Sequence, residues 1–114
     1  MSISPDEIRG YTDTIILARL MDGDSYGYEI GKAIRTITGG LYELKEATLY
    51  TAFHRMEQAG LISSYWGESE GGARRRYYRV TEKGKLAYSE GVAGWNETKR
   101  IISELIERGG IHDA

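Results

Sequence analysis

Residues 46–78 read EATLYTAFHRMEQAGLISSYWGESEGGARRRYY, and this stretch decides the fold. Leu49, Phe53 and Met56 recur at i, i+4 and i+7 with Ala52 beside them, the apolar stripe of one helix that Gly60 ends. The spacing predicts this helix over about 46–59. Its other side carries Ala47, Thr48, Thr51, His54, Arg55 and Gln58, with Glu46 and Glu57 as its only acids. Beyond Gly60, Ser64-Tyr65-Trp66 and Arg76-Tyr77-Tyr78-Arg79-Val80 are rich in aromatic and β-branched residues, which favour strands. Between them Gly67-Glu68-Ser69-Glu70-Gly71-Gly72 has no apolar residue and reads as a turn. A hairpin over about 62–80 is therefore expected.

A helix followed directly by an arginine-bearing hairpin is the order of a winged helix, a shape that sets one helix in a DNA groove and the hairpin beside it. The small, hydroxyl and cationic face of the helix suits hydrogen bonding to base edges, although any solvated helix face is polar. From Gly71 to Lys85 the chain carries six basic residues (Arg74, Arg75, Arg76, Arg79, Lys83, Lys85) against the single acid Glu82, while the whole chain has a net charge of −2. Positive charge gathered in this way is the footprint expected for phosphate. The competing reading is a hairpin edge kept soluble by charge.

The run ATLYTAFHRMEQAGLISSYWGESEGGARRRYYRVTEKGK resembles the PadR family of bacterial transcriptional regulators, in its motifs LY…RME..GLI, GG.RRRYY and the T..G that follows. Tyr26-Gly27-Tyr28-Glu29-Ile30 is similar to the family's second-helix signature, and the likeness extends from about Ile8 to Ile106. The resemblance implies a mainly α protein with a small β-hairpin (α+β). Residues 1–81 would form a winged helix-turn-helix DNA-binding domain, 82–108 a single C-terminal dimerisation helix and 109–114 a flexible tail. It further implies a homodimeric repressor on double-stranded, inverted-repeat operator DNA. The short final helix with Trp95 looks most like the family's small, multidrug-sensing branch. Lys45 departs from the pattern, because many relatives place a capping Ser, Thr or Asn before the recognition helix.

Composition narrows the alternatives. One hundred and fourteen residues make one domain, or one domain with a dimerisation arm, and 40% hydrophobic content suffices for a modest core. The absence of cysteine excludes disulfides and thiolate metal sites. No apolar run approaches the ~20 residues of a membrane span, and MSISPDEIRG lacks the features of a signal peptide, so a cytoplasmic location is expected. The only histidines are His54 and His112, without metal-ligand spacing, and neither a phosphate-binding glycine loop nor a nucleophile with a nearby base is present. An enzyme is not expected, and no cofactor is implied. The remaining rival is a winged-helix protein–protein interaction module without ligand sensing, which a mild salt dependence of binding would reveal.

Taken in order, Ser4, Pro5 and Glu7 make a helix start, and that helix is expected to run to about Met21. Ile8, Tyr11 and Ile15 form one stripe and Ile16, Leu17 and Leu20 others, so it should lie buried between two partners. Ser25 is the candidate cap of a second helix over about 26–37, with Ile30, Ala33, Ile34 and Ile37 as its core stripe. Leu41-Tyr42-Glu43-Leu44 is the candidate first strand of the sheet. Thr81 is the candidate cap of the final helix. There Tyr88, Val92, Trp95, Ile102 and Ile106 step by 4, 3, 7 and 4, a heptad-like seam broken only at Lys99. A second row (Ala87, Gly91, Gly94, Thr98, Ile101, Leu105) lies beside it, and a second subunit is the economical cover for so much apolar surface. Gly91 and Gly94 each cost roughly 1 kcal/mol of helix propensity, and leave room beside Trp95.

Two sets of site residues follow. Thr48, Thr51, His54 and Arg55 would face the DNA groove, Tyr50 on the flank would meet phosphate, and Lys32, Arg74, Arg75 and Arg76 are phosphate candidates. Trp95 is either an interface anchor or, as the resemblance favours, the wall of a pocket in which two symmetry-related indoles sandwich a planar aromatic molecule. Ile8, Tyr11, Ile15 and Val92 would complete that pocket. Lys99 stands where some relatives carry an acid, which favours neutral or anionic aromatics over cationic ones.

Overall fold

The computed structural model describes residues 5–68 and 71–108. The cap expected at Ser4, the middle of the turn at Ser69-Glu70 and the tail with His112 lie outside these residues. The elements are α1 (Pro5–Ile8), a 3-10 turn (Arg9–Tyr11), α2 (Thr12–Met21), α3 (Gly27–Ile37), α4 (Glu46–Gln58), β1 (Ile62–Glu68), β2 (Arg74–Val80) and α5 (Glu82–Glu107).

The first helix is not continuous, as the sequence suggested, but tightens over Arg9–Tyr11. Gly10 is a poor helix former, and the Thr12 hydroxyl donates to the Arg9 carbonyl, offering the backbone a local partner outside the α ladder. After this turn α2 buries Ile16, Leu17 and Leu20 in the core and leaves Ile8, Tyr11 and Ile15 half-buried on another side.

Ser25 does not cap α3: its hydroxyl donates to the Glu29 carboxylate, and the cap position falls on Tyr26, with no side-chain capping bond. The Ser25 backbone instead pairs with Tyr78, through bonds of 3.2 and 2.7 Å. Ser25 thus occupies the open edge of β2, the place expected for Leu41–Leu44. That segment makes no strand, and its Tyr42 N–H is taken by the Thr38 hydroxyl instead of a sheet partner. Its Tyr42 and Leu44 side chains still enter the core.

The core stripe of α3 is also displaced from the expected one. Gly27, Ile30, Gly31 and Ile34 are buried at i, i+3, i+4 and i+7, Ala33 is half-buried, and Ile37 is 63% exposed. Gly27 serves as a core position because α4 comes close: a Cβ there would sit 2.6 Å from the Tyr50 hydroxyl.

The stripe expected for α4 is buried as Leu49, Ala52, Phe53 and Met56. Lys45 precedes it without a side-chain capping bond. β1 and β2 pair antiparallel from Ile62↔Val80 to Glu68↔Arg74, and Ile62 and Tyr78 carry the hairpin's contribution to the core. The expected cap of α5 is present: Thr81 Oγ1 accepts the Gly84 N–H at 3.0 Å and donates to the Gly60 carbonyl at 2.6 Å, joining the start of α5 to the end of α4.

At 26 residues, α5 is about 39 Å long. Its first half crosses α2 where a Cβ on Gly91 would fall 2.2 Å from Thr14 Oγ1. Its second half leaves the core, with Ile101, Ile102, Leu105 and Ile106 exposed, the last two by more than 70%.

Candidate nucleic-acid interface and ligand cavity

The outer face of α4 presents Thr48, Tyr50, Thr51, His54 and Arg55, all exposed. Its buried stripe fixes this orientation, so the residues expected in the groove share one accessible surface. Tyr50 packs edge-on against Phe53 with centroids 5.7 Å apart and covers Gly27, which holds it to the α3 side. Arg55 is differently placed: Asp13 of α2 receives it bidentately, Nη1 at 2.6 Å and Nη2 at 2.7 Å. These hydrogen bonds hold the guanidinium above its ordinary pKa. A side chain expected to reach DNA freely is oriented by a carboxylate 42 residues earlier. Nothing local in the sequence signals that partner.

The three consecutive arginines of the wing do not form one patch, because successive strand residues point to opposite sides of a sheet. Arg76 turns toward α4: it donates to Ser64 Oγ of β1 at 3.1 Å and pairs with Glu57 of α4 at 3.1 Å. Arg75 points the other way, its guanidinium 4.5 Å from the Tyr26 ring, and its Nε is buried without a hydrogen-bond partner among the described residues. Arg74 lies 5.2 Å from the ring of the exposed Trp66. Farther along, Arg79 pairs with Asp24, Lys85 pairs with Glu82, and Lys83 donates to the Ala59 carbonyl. Carboxylates therefore neutralise much of the local positive excess. Among the described residues Arg74 and Arg75 are the wing arginines without an ion pair, as is the exposed Lys32 on α3.

A second region lies between the start of the chain and α5. A cavity of about 400 Å³ is lined by Ile8, Tyr11, Ile15, Val92 and Trp95, five of the six residues proposed for a ligand, brought together from both ends of the chain. Glu7, Thr14, Ala18 and Tyr88 complete it. Tyr88 and Ala18 were visible as continuations of the two stripes, four residues before Val92 and three after Ile15. The Tyr11 and Trp95 rings meet edge-on, with centroids 5.1 Å apart. Lys99 is not in the lining, but its ammonium sits 5.7 Å from the Trp95 ring. Trp95 remains 44% exposed, so the cavity opens toward the uncovered face of α5.

Among the described residues no group of His, Cys, Asp and Glu could hold a metal ion, and no helix is long and apolar enough to cross a membrane.

A helix with an open polar face, a hairpin packed beside it and a long helix leaving the core define a winged helix-turn-helix protein. Residues 16–90 match the model of the transcriptional regulator PadR-like family, and the chain belongs to that family. It is thus a transcriptional regulator and not an enzyme. A transcriptional regulator from Clostridium thermocellum is similar at 52% identity and TM-score 0.83, over 91% of this chain and 98% of its own. A PadR family regulator from Clostridium difficile is 38% identical with TM-score 0.75, over 84% of this chain and 98% of that one. An uncharacterised protein of Lysinibacillus sphaericus is 43% identical over 92% of this chain and 96% of its own. The PadR of Bacillus subtilis, solved in complex with operator DNA, shares the fold at 20% identity and TM-score 0.64, over 71% of this chain and 46% of that one.

Proposed function

We propose that this regulator is a homodimeric, ligand-responsive repressor that sets α4 of each subunit in the major groove of an inverted-repeat operator. The supporting observation is the exposed, acid-free stretch Thr48–Thr51–His54 on α4, with cations on α3 and the wing (Lys32, Arg74) that no described carboxylate neutralises. Hydroxyl and imidazole groups read base edges, and unpaired cations position the protein on phosphate. Residues 1–81 are the DNA-binding domain and 82–108 the dimerisation helix. Two copies of α5 laid together would cover Ile101, Ile102, Leu105 and Ile106 and close the open side of both Trp95 cavities. A planar aromatic ligand there favours one spacing of the two α4 helices over another, and its effect on DNA equals its difference in affinity between those spacings. The Trp95 cavity supports a place in the multidrug-sensing branch of the family.

Selection of genomic fragments, followed by a binding titration against salt, tests the reading. Two-fold symmetric sites about one helical turn apart and a steep loss of affinity with salt are expected. Binding without sequence preference and with a shallow salt dependence would instead indicate a protein-interaction module.

A further inference from the structure

The segment from Ile8 to Ile15 is a wall with two sides. Ile8, Tyr11, Thr14 and Ile15 face the Trp95 cavity. Arg9 and Thr12 face a separate cleft of about 350 Å³, lined on the opposite side by Thr48, Thr51 and Arg55 of α4. Asp13 belongs to the second side, and holds Arg55 by two hydrogen bonds of 2.6 and 2.7 Å. We propose that Asp13 is a positioning residue for the recognition helix: through Arg55 it ties the DNA-facing surface to the cavity wall, so that an occupant of the cavity is felt on α4. The inference rests on the reading that α4 binds DNA and the cavity takes a ligand.

Three features support it. First, a planar molecule entering beside Trp95 must press on Tyr11, whose ring meets the indole edge-on, and Tyr11 ends the 3-10 turn from which Asp13 is displaced by two residues. Second, that turn already departs from the regular α-helix: it contains Gly10, a poor helix former, and the Thr12 hydroxyl reaches back to the Arg9 carbonyl at 3.4 Å. Third, the fork-on-fork geometry of a guanidinium and a carboxylate fixes direction as well as distance, and so adds a directional tie between α2 and α4 to their packing in the core. Both side chains are partly exposed, at 58% and 37%, so the pair is screened and its loss leaves the fold intact.

The test is operator binding by wild type, Asp13→Asn and Asp13→Glu, each with and without a planar aromatic dye that does not itself bind the duplex. Dye affinity for the free protein is followed by calorimetry and folding by thermal melting. Wild type should lose at least fivefold in operator affinity when saturated with dye, the lower end of ordinary allosteric coupling. Asp13→Asn should bind the dye and melt as wild type does, yet lose operator affinity by less than about twofold on saturation. Asp13→Glu, which keeps the charge, should recover part of the effect. Full coupling in Asp13→Asn would overturn the inference and leave the ligand reading standing. A wild-type protein that binds its operator with the same affinity at every dye concentration would overturn both.

Discussion

The Tyr78 ring of β2 lies nearly face to face with Phe53 of α4, with centroids 4.0 Å apart and planes 22° apart. Tyr78 also exchanges both backbone hydrogen bonds with Ser25. One residue thus joins the wing to the recognition helix and to the strand-like entry into α3. Phe53 is 1% exposed, and Phe53→Ala should cost about 3–5 kcal/mol, read as a shift in urea midpoint at unchanged slope. Tyr78→Phe should cost much less, because the hydroxyl takes no part in the stack.

Gly91 sets the crossing of α5 over α2. A methyl group there meets the short Thr14 side chain, 2.2 Å from Oγ1 and 3.1 Å from Cβ, so no rotation of that side chain clears it. Gly91→Ala should destabilise the protein by about 1–3 kcal/mol, despite the better helix propensity of alanine. Combining it with Thr14→Ala should recover most of the loss, a coupling that a double-mutant cycle measures directly.

Much of the local structure was legible where the deciding residues lie close together in sequence and carry side chains that form a pattern. The α4 stripe, the hairpin and the Thr81 cap each rest on spacings of a few residues. The two helical stripes placed Ile8, Tyr11 and Ile15, and Val92 and Trp95, each on one side, but joining them around one pocket came from the family resemblance and not from spacing. The third-strand role of Ser25 was hidden, because its partner Tyr78 is distant and a single residue leaves no β pattern. The α3 stripe was obscured by Gly27 and Gly31, which count as core by lacking a side chain. The division of Arg74, Arg75 and Arg76 across the sheet was available from the two-residue period, but consecutive charges suggest a single patch. The Asp13–Arg55 pair had no local signal at all.

The division of the arginines gives a graded expectation for salt dependence. Arg74→Ala should weaken binding to every duplex and reduce the slope of log affinity against log salt by about one. Arg76→Ala should change that slope less, because Glu57 already neutralises Arg76, and should loosen the hairpin instead. Equal slopes for wild type and Arg74→Ala would remove Arg74 from the interface.

Trp95→Ala should abolish binding of a planar aromatic dye by calorimetry and leave operator affinity within about twofold, because the indole lines the cavity and no residue of α4 does. Sedimentation should still show a dimer, held by Ile101, Ile102, Leu105 and Ile106. A monomeric Trp95→Ala would make the indole an interface anchor first.

The proposed function stands on the outer face of α4 reading DNA. The most direct test is the operator affinity of Thr51→Ala and His54→Ala across single-base variants of each half-site. If α4 reads base edges, each substitution should cost about 1–3 kcal/mol on the preferred sequence and relax discrimination at one or two adjacent positions only. Wild-type affinity and an unchanged sequence preference in both variants would contradict it.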